Sequence, residues 1–175
     1  MSYTLYDATI VMVQHCVESV KCILQKGEAA PNAASLLEAR IHEDMLPLSF
    51  QVHMVTSLSE KVLANLLGRE PMKLENNFKT FDDMYKRIAV VSEVLAKADR
   101  DTINGRDGQT VKFDMGPKAV EISTLGYVNG VVLPNILFHL TTAYDILRKE
   151  GVPLGKMDYL RPFFGKYVDM AALGF

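Results

Sequence analysis

Residues 138–147 read FHLTTAYDIL, and the winding of this stretch decides the fold. Ile136, His139, Ala143 and Ile146 recur at intervals of three and four, the period of one helical face. Leu137, Leu140, Tyr144 and Leu147 share the adjoining face. A helix with two apolar faces belongs inside a bundle. Gly130 stands before it and Gly151 and Pro153 after it, so the predicted helix covers 131–149.

Three more long helices are expected. The first spans 4–26, where Leu5, Met12, Cys16, Val20 and Ile23 share a stripe, and Gly27 ends the run. After the linker GEAAPNAAS, Ser35 and Glu38 have capping-box spacing and open a second helix over 36–67. Pro47 falls inside it and should either kink it or split it into 36–44 and 47–67. Thr80 and Asp83 open a third, with Phe81, Met84, Ile88, Val91 and Leu95 on one stripe. Before the fourth helix the period changes to two. Val111, Phe113 and Met115 alternate with polar residues, Gly116-Pro117 interrupts, and Val120 and Ile122 alternate again, as in a hairpin. The expected fold is all-α, a four-helix bundle with a small β-hairpin between helices three and four.

The chain has 175 residues, enough for one domain with a substantial core. A net charge of −2 and the lack of a Lys/Arg cluster argue against a nucleic-acid partner. No apolar run approaches the ~20 residues of a membrane span, so no membrane partner is expected. The start, MSYTLYDATIVMV, lacks a basic leader and carries Asp7. Cys16 and Cys22 lie six apart on different faces of one helix, which fits a reducing, cytoplasmic location.

Helical spacing also picks out candidate site residues. On helix four, His139 shares a face with Asn135 and Thr142, and the Tyr144 hydroxyl is within reach of a cavity. On helix two, Leu48, Val55, Leu58 and Val62 form the apolar seam, and Asp44 and Gln51 fall on it, with Arg40 placed to neutralise Asp44. Inward polar groups are costly unless they bond one another or a ligand. Asp44 has a second available role, as N-cap of a helix starting near Pro47. His53 falls on a polar strip with Ser49, Ser57 and Glu60, and His42 and His15 carry no signal. Metal sites commonly take two ligands from adjacent turns, as HxxxH does, and position 143 is Ala and 135 is Asn. No phosphate-binding glycine loop and no GxSxG motif is present.

LYDAT at 5–9, LLEARIHEDMLPLSFQV at 36–52 and LPNILFHLTTAYDILRKEGVPLGKMDYL at 133–160 resemble the DinB/YfiT-like superfamily. Within it they resemble the domain-of-unknown-function branch numbered nineteen ninety-three. The resemblance implies a DinB-like bundle over 1–160, commonly dimeric, with 161–175 as an extension beyond the family's usual end. Phe163, Phe164, Tyr167, Val168 and Met170 make that extension too apolar for a free tail, so it should cover the bundle or a partner subunit. Many superfamily members hold a divalent metal with three histidines. Of those, only His139 has a counterpart, and His53 stands where the branch tends to have Gln.

Three readings follow. The first is a cofactor-free cyclase, isomerase or lyase acting on a phenolic or polyketide-like metabolite in a bundle-core pocket. His139 and Asp44 would be its catalytic pair, and Arg40, Gln51, Asn135, Thr142 and Tyr144 its substrate contacts. The second is a transferase or hydrolase using zinc or nickel on His53 and His139. The third is a non-catalytic ligand-binding protein or dimeric interaction protein.

Overall fold

A computed structural model describes residues 3–165 and 167–169. Helix α1 begins with a π-helical segment, Asp7–Val11, and continues as Met12–Glu28. Of its expected apolar stripe, Leu5, Cys16, Val20 and Ile23 are buried and Met12 is only partly so. The helix runs through Gly27, where an added Cβ would stand 2.9 Å from Leu147 Cδ2. Here Gly27 allows close approach of two helices and does not end the first.

The second helix is shorter than expected. Helix α2 spans Leu48–Leu67, preceded by Pro47 in extended conformation. Residues 37–47 are irregular, after one helical turn at Ala33–Leu36. The reason lies in the backbone hydrogen bonds. Leu48 N–H donates to the Ala39 carbonyl at 2.9 Å, and Ser49 N–H to the Leu37 carbonyl at 3.0 Å. These carbonyls satisfy donors that the first turn of α2 would otherwise leave unpaired. Proline also disfavours helical geometry at Leu46. Pro47 does not kink a continuous helix; of the two pieces expected from a split there, the long one forms and the short helix 36–44 does not. Ser35 is no cap; its hydroxyl donates to the Asn32 carbonyl.

Helix α3, Phe81–Ala96, starts at the expected capping box. Thr80 Oγ1 accepts from Asp83 N–H, and Asp83 Oδ2 accepts from Thr80 N–H. All five stripe residues from Phe81 to Leu95 are buried. The hairpin follows as β1, Thr110–Met115, and β2, Lys118–Ser123. Its antiparallel register pairs Val111 with Ile122 and Phe113 with Val120. Gly116, at φ 62°, takes the first turn position that a type II′ hairpin reserves for glycine. A lone hairpin is marginal, and this one leans on the bundle through Val111, which is buried, and the Phe113–Tyr127 ring pair.

Helix α4 starts earlier than expected, at Thr124–Tyr127, passes through a second π-helical segment, Val128–Val132, and continues as Leu133–Lys149. Gly130 lies inside it. The whole span, Thr124–Lys149, is long and apolar enough to cross a membrane by length and composition. Its apolar stripe, Ile136, Leu140, Ala143, Ile146 and Leu147, is buried in the contacts with α1 and α2. α1 and α2 each pack against the other three long helices. Helix α5, Lys156–Phe164, crosses the boundary expected at residue 160 and packs along α1. Tyr159 and Phe163 rest on the core, Tyr167 and Val168 are exposed, and Met170 lies outside the described residues.

Candidate functional site

The antiparallel packing of α2 on α4 brings Gln51 to His139. Gln51 is 2% exposed, and its side chain is held at both ends. Its Nε2 donates to the Leu46 carbonyl at 2.7 Å. That bond fixes the amide orientation, because only the nitrogen can donate to a carbonyl. Oε1 must therefore face His139 Nδ1, 2.7 Å away, and an amide oxygen can only accept. His139 consequently carries its proton on Nδ1 when neutral and presents a bare Nε2 lone pair. Burial holds the imidazole below the ordinary histidine value of about 6.5, so the neutral form prevails at neutral pH.

Aromatic rings surround this base. Phe50 and Phe138 approach His139 edge-on, with centroids 6.1 and 5.3 Å away. Phe138 is 57% exposed, so the site lies at the surface of the α2–α4 seam and not in the closed interior.

Several expected partners are elsewhere. Asp44 does not share a hollow with His139. It is exposed on the irregular segment, where its carboxylate meets His42 Nδ1 at 2.7 Å. Its projected place on the α2 seam assumed a helix that Pro47 prevents. Nor does Asp44 cap α2, which has no side-chain cap. Arg40 donates to the Met45 carbonyl and not to Asp44. Asn135 is exposed. Thr142 is buried, and its hydroxyl donates back to the Phe138 carbonyl at 2.8 Å. Tyr144 stacks edge-on with Tyr159 of α5, on the side of α4 facing α1. Of the expected set, only Gln51 and His139 come together.

His53 is half-buried and shares Phe50 as a ring neighbour. Arg87 Nη1 lies 3.5 Å from its Nδ1 and Ser57 Oγ lies 3.4 Å away. Burial, and then the Arg87 charge, hold His53 below its ordinary value. A guanidinium at that nitrogen also opposes a cation there. Among the described residues, no three His, Cys, Asp or Glu side chains converge to hold a metal. The metal site implied by the resemblance therefore has no donor set here, with one imidazole hydrogen-bonded to a carboxamide in its place.

One buried acid on α2 gave no sequence signal. Glu60, placed by spacing on a polar strip, is 1% exposed, and Ser49 on that strip is 7% exposed. Glu60 Oε2 accepts from Met72 N–H at 2.9 Å, while Arg69 Nη1 lies 2.6 Å from Oε1 as a charge contact without hydrogen-bond alignment. The pair ties the loop after α2 to the bundle.

Comparison with known proteins places the chain in a family. A family described as a domain of unknown function, DUF1993, matches residues 5–160. The chain belongs to the DUF1993 family. A DinB family member from Shewanella denitrificans has a similar crystal structure, at 28% identity and a TM-score of 0.80. The similarity covers 89% of this chain and 91% of that one. No curated protein matches. This DUF1993 member thus has the DinB-like bundle, with the Gln51–His139 pair described above.

Proposed function

We propose that this chain is an acid–base enzyme, acting without a resident metal on a small, largely apolar or aromatic molecule. The observation that carries the reading is the Gln51 carboxamide pinned by the Leu46 carbonyl, which leaves His139 Nε2 as a free base. Histidine moves protons near neutral pH because its ordinary pKa is about 6.5. Lowered by burial, His139 rests in the base form. In an isomerisation, Nε2 would take a proton from carbon beside a carbonyl, forming imidazolium and enolate, and return it at a second carbon. In a dehydration, the same proton would leave with the departing hydroxyl as water. Gln51 Oε1 would stabilise the imidazolium through the Nδ1–H bond in either case. Phe50 and Phe138 supply an aromatic surface for the substrate. With Asp44 exposed, the chemistry proposed here rests on one base and not on a pair.

Metabolite extract incubated with wild-type protein and with His139→Gln tests this reading. Features consumed by the wild type alone, with both proteins equally folded, are the expected result. Equal profiles for wild type, variant and buffer would refute catalysis by His139.

A further inference from the structure

A cleft of about 500 Å³ opens at the amino-terminal end of α1, bordered by neither His139 nor Gln51. That volume falls within the range of small-molecule sites, roughly 300–1,000 Å³. Its apolar wall includes Leu5, Ala8 and Met12 at the start of the chain and Leu125 and Leu133 of α4. Its polar edge is formed by Asn104, Asp107 and Asn129.

α1 and α4 are both π-helical beside this cleft. Ala8 lies in the Asp7–Val11 segment and Asn129 in Val128–Val132. π-Helical turns are rare and occur often at functional sites, where the wider turn re-aims side chains. Two such segments on opposite walls of one cleft are independent distortions that converge on the same space. The rim is also braced: Asn104 Oδ1 accepts from Tyr6 N–H, and Arg100 lies 3.0 Å from Asp7 and over the Tyr6 ring.

The charge at the rim selects the ligand. Asp107 Oδ1 accepts only from the neighbouring Gly108 N–H, and among the described residues no cation pairs with it. Arg100 also reaches the rim, 3.5 Å from Thr4 Oγ1, but its charge is paired with Asp7. An apolar trough ending at a carboxylate with no cation on it among the described residues, and at two carboxamides, suits an apolar body with a cationic head. We infer that this cleft binds a small primary ammonium compound with an aromatic or alkyl body, its ammonium on Asp107 and its apolar part between the two π-helical segments. The inference stands apart from the His139 reading.

Phenethylamine, phenethyl alcohol and phenylacetate share one body and differ in head charge, so they serve as probes. Amide-resolved NMR titration of the full chain should show phenethylamine shifting the signals of Ala8 and Asn129. Phenethyl alcohol should bind about fivefold more weakly, and phenylacetate more weakly still. Asp107→Asn should remove the preference for the amine while the alcohol still binds. Asn129→Phe, an exposed substitution that narrows the mouth, should weaken both. His139→Gln should leave all three titrations unchanged, so failure of the catalytic reading leaves this result intact. Phenylacetate binding as well as the amine, an Asp107→Asn variant that keeps the amine preference, or no shift at Ala8 and Asn129 would each overturn the proposal.

Discussion

Replacing Gln51 by Leu probes the hydrogen-bond chain at the candidate site. The substitution keeps volume and removes two bonds of 2.7 Å, from Gln51 to the Leu46 carbonyl and from His139 Nδ1 to Gln51. Residue 51 is fully enclosed, so no water replaces the lost acceptor from within. Leaving a buried donor unpaired costs about 1–3 kcal/mol. His139 is only half-buried and Leu46 is 47% exposed, so water can reach both ends of the broken chain. The lower half of that range applies, about 1–2 kcal/mol by urea unfolding, or a drop in Tm of about 2–8 °C for a chain of this size. Tautomer identity is the sharper readout. Long-range proton–nitrogen correlation spectra should show wild-type His139 protonated on Nδ1 and bare on Nε2, and the variant should lose this exclusivity. Gln51→Glu places an anion against the same nitrogen and should raise the His139 pKa above its wild-type position. A wild-type His139 protonated on Nε2 would refute the amide assignment. A Gln51→Leu variant with unchanged tautomer and stability would refute the role given to Gln51.

The two perturbed histidines set an acid limit. Because His53 and His139 bind protons less readily folded than unfolded, the unfolded chain gains protons first as pH falls through about 6.5. Stability should fall between pH 7 and 5, and above 7 both groups are neutral in both states and give no slope. Urea midpoints for wild type and His53→Gln/His139→Gln test this, with a flatter profile expected for the double variant and an unchanged one refuting it. Thr80→Ala removes one half of the α3 capping box and should cost about 1 kcal/mol, read as a lower Tm. Arg69→Met leaves Glu60 buried without its cation. Arg69 is 36% exposed, so the cost should be about 2 kcal/mol in urea, below the roughly 3–5 of a fully buried pair.

The parts of the fold legible in the sequence are those set by local rules. The α3 stripe and its Thr80 cap, and the alternation of Val111 with Phe113 around Gly116, depend on neighbours within a few residues. The failures arise where distant backbone overrides local pattern. Residues 36–44 have helical spacing, yet the carbonyls of Leu37 and Ala39 serve the first turn of α2. Gly27 read as a helix stop and Gly130 as the residue before a helix start, yet both lie inside helices. At Gly27 a neighbouring helix comes so close that an added Cβ would have to push the Leu147 side chain aside. The π-helical segments gave no signal, and the extra residue in the turn of the first moves the buried face from the expected Met12 to Val13.

The candidate site shows the same division, and Pro47 accounts for both halves of it. Gln51 and His139 were legible as inward positions because each lies inside a regular helix, where spacing determines facing. Asp44 was misplaced because its facing was extrapolated through a residue that ends the helix. The same break sets up the chemistry. If the α2 helix continued through residue 46, the Leu46 carbonyl would be spent on the backbone N–H four residues later. Because α2 starts at Leu48, that carbonyl stands outside the helix and takes the Gln51 amide instead. The proline that moves Asp44 to the surface therefore also fixes which nitrogen of His139 carries the proton. Local pattern shows that position 139 holds an inward imidazole; its tautomer depends on where α2 begins, which only the three-dimensional backbone reveals.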